Sequence, residues 1–317
     1  MDRNAPVHRN TKIRPVAGFD GAAALAIALS LSLTLPTAVG AQAPAYPGPG
    51  QRVILVTGST SGLGRAVALR LGSEGAHVIV HGRNRERGLA VVAEIEAEGH
   101  GSARFYAADL ASFARVRAFA ETILADYDRL DVLVNNAGIG SAPAERLLSE
   151  DGNELRFQVN YLSGFLLTRL LLPRLRESAP SRIVNISSLA QAPIDFDDVM
   201  LENGFSGGRA YAQSKLAQIM FTFDLAEELA GTGVLVNCLH PATYMPTGMV
   251  RRLGVEPRAT IAEGADAVMR LIDEGDIGSG QFFNQMKPGR ANAQAYDPEA
   301  RARLKALSET LTGLGGG

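Results

Sequence analysis

Val53-Ile-Leu-Val-Thr57 runs into Gly58-Ser-Thr-Ser-Gly62-Leu-Gly64 and then into the helical pattern Arg65–Gly72. An apolar β-branched run, a glycine loop and a helix start, in that order, open an α/β domain. Three glycines in this context suit a pyrophosphate: they allow a tight turn, close backbone approach and access to the amides of a helix N-terminus. A glycine loop by itself often does nothing but turn. Here a second signal follows the second apolar run, about 20 residues past the last glycine, in His81-Gly82-Arg83-Asn84. An acid at that place would bind the ribose 2′-hydroxyl of NAD, whereas arginine accommodates the 2′-phosphate of NADP. The segment offers no acid and one guanidinium, so Arg83, with Asn84 beside it, favours NADP over NAD.

Working outward, short apolar runs alternate with longer helical ones. The candidate strands are Val53–Thr57, His77–His81, Ala103–Ala107, Val132–Asn135, Arg182–Ile186, Val234–Leu239 and Gly280–Phe283. Between them lie amphipathic stretches at Gly64–Gly72, Arg85–Glu98, Phe113–Tyr127, Leu155–Arg176 and Arg209–Ala230. Near-continuous apolar strands separated by helices imply a parallel sheet covered on both faces. The expectation is one doubly wound α/β domain of the Rossmann type, with a mainly parallel sheet of about seven strands, over residues 51–313. Pro44-Ala-Tyr-Pro-Gly-Pro-Gly50 reads as a linker in front of it.

The 317 residues are 46% hydrophobic, enough for a large core, and the formal charge is −2. No basic stripe with interleaved aromatics is present, which argues against nucleic acid. The single cysteine, Cys238, excludes an internal disulfide and reads as a small apolar strand residue. The five histidines lack ligand spacing, and no metal is expected. Residues 1–43 differ in kind from the rest. Arg3, Arg9, Lys12 and Arg14 precede the uncharged run Gly21–Pro36, and small residues follow to Ala43. That order resembles a secretory signal peptide, with an uncleaved anchor or an early start as the other readings. Export sits badly with a cytoplasmic cofactor, so localisation stays open between export, anchoring through this segment and the cytoplasm.

Tyr211-Ala-Gln-Ser-Lys215 carries the chemistry. Residues four apart share a helix face, so the Lys215 ammonium should sit near the Tyr211 hydroxyl. A free tyrosine, with a pKa of about 10, is a poor acid or base at neutral pH. A neighbouring cation would lower that value towards the useful range. Ser188, with Ser187 as the alternative, ends the fifth strand, where ligands of open α/β sheets bind. Asn160 lies within an apolar helical stretch for which asparagine is a poor choice.

In these motifs the chain resembles the classical short-chain dehydrogenases/reductases. Thr57-Gly-Ser-Thr-Ser-Gly-Leu-Gly64 matches their cofactor loop, and Asn135-Asn-Ala-Gly138 matches their N-N-A-G motif. The likeness is tightest to the retinol-dehydrogenase-like, NADP-dependent branch, through Ser181–Ala190, the Tyr211/Lys215 pair and Gly280-Gln-Phe-Phe-Asn284. The resemblance implies a catalytic tetrad of Asn160, Ser188, Tyr211 and Lys215. It also implies cofactor contacts from Gly58, Ser59, Ser61, Gly62, Leu63, Gly64, Asp109, Leu110, Asn136, Ala137, Gly138, Tyr211, Lys215 and Pro241, with Thr243 or Thr247 for the carboxamide. The implied reaction is hydride exchange between NADP and a small-molecule aldehyde, ketone or alcohol. A dinucleotide-binding sensor without catalysis is the competing reading. Kinship also allows a homodimer through the helices containing Asn160 and Tyr211. Two departures stand out. The stretch Gln191 to Gly208 lengthens the Ser188–Tyr211 spacing and reads as a substrate-side wall. Pro241-Ala242 replaces the usual Pro-Gly. The segment Tyr244 to Ala262 reads as a lid, opening with Met245, Pro246, Met249 and Val250, which implies an apolar mouth.

Overall fold

The computed structural model describes Lys12 and residues 46–315. The chain divides into two units, and the fold below is that of the second, Ala43–Gly317. The apolar stretch and small-residue site of the expected leader lie outside the described residues.

Chain order is β1 (Val53–Val56), α1 (Gly62–Ser73), β2 (His77–Gly82), α2 (Arg85–Glu98), β3 (Ser102–Ala107) and α3 (Phe113–Asp126). Then come β4 (Val132–Asn135), α4 (Leu155–Phe157), a π-helical turn (Gln158–Leu162), α5 (Ser163–Glu177), β5 (Ser181–Ile186) and α6 (Gly207–Glu228). The last third holds β6 (Val234–His240), α7 (Gly248–Arg251), α8 (Ile261–Asp273) and β7 (Gln281–Asn284). It ends with β8 (Lys287–Pro288), a 3-10 turn (Ala293–Tyr296) and α9 (Pro298–Thr312).

The sheet runs β3-β2-β1-β4-β5-β6-β7-β8. All pairings are parallel except that of the two-residue β8 with β7, the one strand the sequence pattern did not announce. Alternation explains the two layers. On β1, Val53 and Leu55 face the cluster formed with α3, α5 and α6. Ile54 and Val56 face the cluster formed with α1, α2 and α8. Both faces are buried, as a parallel sheet requires. Strand order reverses between β1 and β4, and this crevice at the strands' carboxyl ends is where an open α/β sheet binds ligands.

Three local features depart from expectation. Leu155–Arg176 is not one uniform helix, because a π-helical turn at Gln158–Leu162 separates α4 from α5 and carries Asn160. Such turns insert an extra residue and gather at functional sites. The linker is not free along its whole length: Tyr46 stacks under the Arg104 guanidinium (4.7 Å), and Gly48 donates to Gln51 Oε1 (2.8 Å). Finally, α9 lies on the helices proposed as a dimer face. Tyr161 is hydrogen-bonded to Ser308 (2.7 Å), and Arg301 pairs with Glu227 (2.8 Å) and Asp224 (3.6 Å). Part of that face is therefore occupied from within the chain. Among the described residues, no helix is long and apolar enough to cross a membrane.

Candidate active site

Close backbone approach builds the cradle at the β1 end. Gly58 has φ +66°, and a β-carbon there would stand 2.8 Å from Ala137 Cα. One at Gly64 would stand 2.3 Å from Asn136 Nδ2, so only glycine fits against the β4 loop. Thr57 Oγ1 accepts from the amides of Asn136 and Ala137 (both 3.0 Å), while Asn136 Nδ2 donates to the Thr57 carbonyl (2.8 Å). These bonds lock the T-G and N-N-A-G motifs together. No side chain caps the N-terminus of α1 at Ser61, so its first amides remain available to an anion. Beneath the loop, His81 Nδ1 accepts the Gly58 amide (3.1 Å). That role needs a neutral ring, and burial lowers the His81 pKa to about 4.

The remaining candidates divide by where their side chains go. Arg83 is largely exposed, and its guanidinium stands 3.7 Å from Asp109 Oδ2, which brings two of the expected adenosine-side residues together. Four others are engaged by the protein itself, Asn84 at the surface and the other three in its interior. The Ser59 hydroxyl accepts the His81 amide (3.0 Å), and Asn84 caps α2 by accepting the Arg87 amide (2.8 Å). Leu63 and Leu110 are core residues. Any cofactor contact from these two can only use their backbone.

The four expected catalytic residues converge at the carboxyl ends of β4 and β5. Lys215 Nζ donates to the Ile186 carbonyl (2.8 Å) and Gln218 Oε1 (2.9 Å), and lies 5.7 Å from the centre of the Tyr211 ring. Asn160 Oδ1 accepts the Ile139 amide (2.7 Å), while its Nδ2 donates to the Ile139 carbonyl (3.1 Å) and Ser214 (2.9 Å). A β-carbon on Gly138 would stand 3.2 Å from Asn160 Oδ1 and 3.6 Å from Lys215 Nζ, which places the N-N-A-G glycine between them. The two serines separate cleanly. Ser187 donates to the Lys215 carbonyl (2.7 Å) and clamps α6 to β5, whereas Ser188 accepts the Ala190 amide (3.1 Å) and interacts with the Tyr211 phenol.

The electrostatics overturn one expectation. Burial raises the Tyr211 pKa, with the Ser188 hydrogen bond working against it, and the lysine does not bring it down. Burial also lowers Lys215 itself, to about 7, so at neutral pH it carries only part of a charge. A lysine with this folded pKa and an ordinary unfolded one binds more protons when unfolded between about pH 7 and 10.4. Its contribution to stability therefore rises with pH across that window, by at most about 1.4 kcal/mol per pH unit. Chemical denaturation should show wild type gaining stability relative to Lys215→Met between pH 7 and pH 10. Parallel pH curves would refute the shifted lysine.

The segment expected as a lid packs against two glycines of the site. The Thr247 methyl lies against Gly62 and the Met249 side chain against Gly140, so this segment spans from the glycine loop to the β4 loop. Thr243, by contrast, pairs with His240 Nε2 (3.0 Å). Met245, expected at the mouth, is a core residue beside Leu63 and Gly264. Cys238 is buried, and burial pushes its thiol up to about 12. A separate open groove of about 550 Å³ lies at the amino ends of β6 and β7, between Glu227, Val234, Ser279 and Tyr296, and holds none of the candidate site residues.

One supporting residue escaped the sequence pattern. Arg156, 1% exposed, donates to the carbonyls of Gly140 and Ser141 (both 3.0 Å) and Pro143. It also pairs with buried Glu154 (3.2 Å), whose other oxygen accepts the Phe157 amide (2.8 Å). Nothing in the local spacing of Glu154 and Arg156 signals carbonyl partners 13 to 16 residues upstream.

Residues 52–257 match the family described as short chain dehydrogenase. The chain is 38% identical over 289 residues to retinol dehydrogenase 13 of Homo sapiens, covering 84% of this chain and 86% of that protein. It is 37% identical to human retinol dehydrogenase 14, covering 83% and 87%. Among solved structures, it is similar to the RhlG/NADP active-site complex of Pseudomonas aeruginosa (TM-score 0.61, 30% identity, 76% and 97% covered). It is also similar to a metagenomic short-chain oxidoreductase in complex with NADP (TM-score 0.58, 32% identity, 72% and 93% covered).

Proposed function

This chain belongs to the short-chain dehydrogenase family, and from that premise we propose that it transfers a hydride between NADPH and the carbonyl or alcohol carbon of a lipophilic small molecule. The observation that carries the reading is that Asn160 and Lys215 meet at Gly138, beside the glycine cradle, and that Tyr211 lies next to both Lys215 and Ser188. NADPH, when bound, supplies the hydride. The cradle Gly58–Gly64, the uncapped first turn of α1 and the exposed Arg83 fit its phosphates.

The chain's own residues handle the proton. Tyr211, kept protonated by burial, suits the general acid of a reduction and delivers its proton to the substrate oxygen. Ser188 holds that oxygen through its hydroxyl. Lys215 is placed to bind the nicotinamide ribose hydroxyls. Any lowering of the phenol's pKa by Lys215 belongs to the cofactor-bound site, where added acceptors favour the charged ammonium. Thr247, against Gly62, is better placed for the cofactor than the paired Thr243. The two retinol dehydrogenases among the relatives support a lipophilic substrate.

Rates with NADPH and NADH on a panel of aldehydes and ketones test this reading. Turnover supports it, whereas NADPH binding without turnover favours the sensor. The Arg83→Ala variant addresses the cofactor. Losing a charged hydrogen bond to a phosphate costs about 1.5–3 kcal/mol, so NADPH affinity should fall roughly 10- to 100-fold with NADH affinity little changed. An unaltered NADPH/NADH ratio would remove the case for NADP.

A further inference from the structure

The lengthened stretch between Ser188 and Tyr211 is held in place by the C-terminal part of the chain, through two glutamine side chains. Gln191 Nε2 donates to the Ser188 carbonyl (2.9 Å), and its Oε1 accepts the Asn292 amide (2.7 Å). Gln294 applies both ends of its carboxamide to a single residue. Its Oε1 accepts the Ile194 amide (2.7 Å), and its Nε2 donates to the Ile194 carbonyl (3.0 Å). The side chain thus supplies what a neighbouring strand would supply, an acceptor and a donor to one residue's backbone.

The surroundings stiffen this tie. Asn292 accepts the Gln294 amide (3.1 Å) and caps the 3-10 turn that presents Gln294. Ile194 is buried in the main core, and Arg303 of α9 sits over the Phe196 ring (4.6 Å). From the other side, α6 holds the same stretch: Gln213 donates to the Val199 carbonyl (2.6 Å), and Arg209 pairs with Asp195 (3.1 Å). The wall therefore hangs between the C-terminal segment and the helix that carries Tyr211. Gln191 joins it to the Ser188 corner.

We propose that Gln191 and Gln294 are positioning residues, which fix the substrate-side wall and the Ser188 corner by tying them to the C-terminal segment. This rests on the hydride-transfer reading of the same site. Neither side chain is placed in the cofactor cradle, so their removal should act on the substrate and spare NADPH.

The test compares wild type with Gln294→Met, which keeps the side-chain length but can make neither bond, and with Gln191→Ala. Two lost hydrogen bonds loosen the wall by about tenfold or more, so Ile194 to Val199 should exchange amide hydrogen that much faster in Gln294→Met without cofactor. With NADPH and a lipophilic aldehyde that wild type reduces, KM should rise about tenfold while kcat falls less than about threefold. NADPH affinity should stay unchanged. Gln191→Ala, which cuts only the link to the Ser188 corner, should lower kcat and leave the exchange of Val199 alone. Unaltered exchange in Gln294→Met, or faster exchange with unaltered KM, overturns the proposal. So does an unaltered kcat in Gln191→Ala, the variant that decides the matter if Gln294→Met does not fold. A wild type without turnover sinks the hydride-transfer reading and this proposal with it, whereas active wild type with indistinguishable variants sinks this proposal alone.

Discussion

Replacing Tyr211 with phenylalanine is expected to lower kcat by about 10³-fold or more while NADPH affinity changes less than about threefold. General acid–base catalysis contributes typically 10²–10⁴-fold, and besides Tyr211 the described contacts of the Ser188 hydroxyl include only the Ala190 amide, which does not titrate. The substitution removes one hydroxyl and keeps the ring that lies 5.7 Å from Lys215 Nζ, so the packing of α6 against β5 should survive. Burial holds the phenol in its protonated form, which leaves the reductive direction with the acid it needs. Steady-state rates, with cofactor affinity from fluorescence titration, check both halves. A variant with near-normal kcat would take the proton-transfer role away from Tyr211.

The second large effect concerns stability. Arg156→Ala should destabilise the protein by about 3–5 kcal/mol, the range for leaving one member of a buried ion pair alone. It would strand the Glu154 carboxylate, itself 1% exposed, and orphan three carbonyls between Gly140 and Pro143. For a domain of this size the melting temperature should fall on the order of 10 °C. Arg156→Lys should fall between the two, because an ammonium keeps the charge but cannot fork across several carbonyls. The damage should also reach the site. A β-carbon on Gly207, at the start of α6, would stand 2.1 Å from the Ser141 carbonyl, so the loop that Arg156 holds is a seat for the helix bearing Tyr211 and Lys215. Equal melting temperatures for Arg156→Ala and wild type would mean that the buried pair contributes nothing.

The parts of this architecture that were legible in the sequence are those written in local pattern. The run Val53–Val56 followed by Gly58, Gly62 and Gly64 announces a strand, a turn and a helix because each depends on residues next to it. The alternation of apolar runs with helical ones announces a parallel sheet, though not the order of its strands. Two helices carried start signals that periodicity alone overlooked: Thr260 and Glu263 form a capping box at α8, and Asp297 with Pro298 starts α9. The π-helical turn at Asn160 was hidden by an unbroken apolar pattern from Leu155 onward. Three further features depend on distance in sequence or on burial, and neither is written locally. Arg156 reaches back to Gly140, and Gln294 reaches across 100 residues to Ile194. Tyr211 and Lys215 are both desolvated by the folded core, which raises the phenol's pKa directly and weakens the lysine's charge, so the expected lowering at Tyr211 came out with the opposite sign.

The most direct measurement is hydride tracking with NADPH bearing deuterium at both positions of nicotinamide C4, using wild type and Tyr211→Phe in parallel on an aldehyde that binds. For wild type, mass spectrometry should find one deuterium on the carbinol carbon of the alcohol, and the variant should give almost none in the same time. An alcohol free of deuterium, or equal labelling by both proteins, would contradict a site in which the cradle delivers the hydride and Tyr211 the proton.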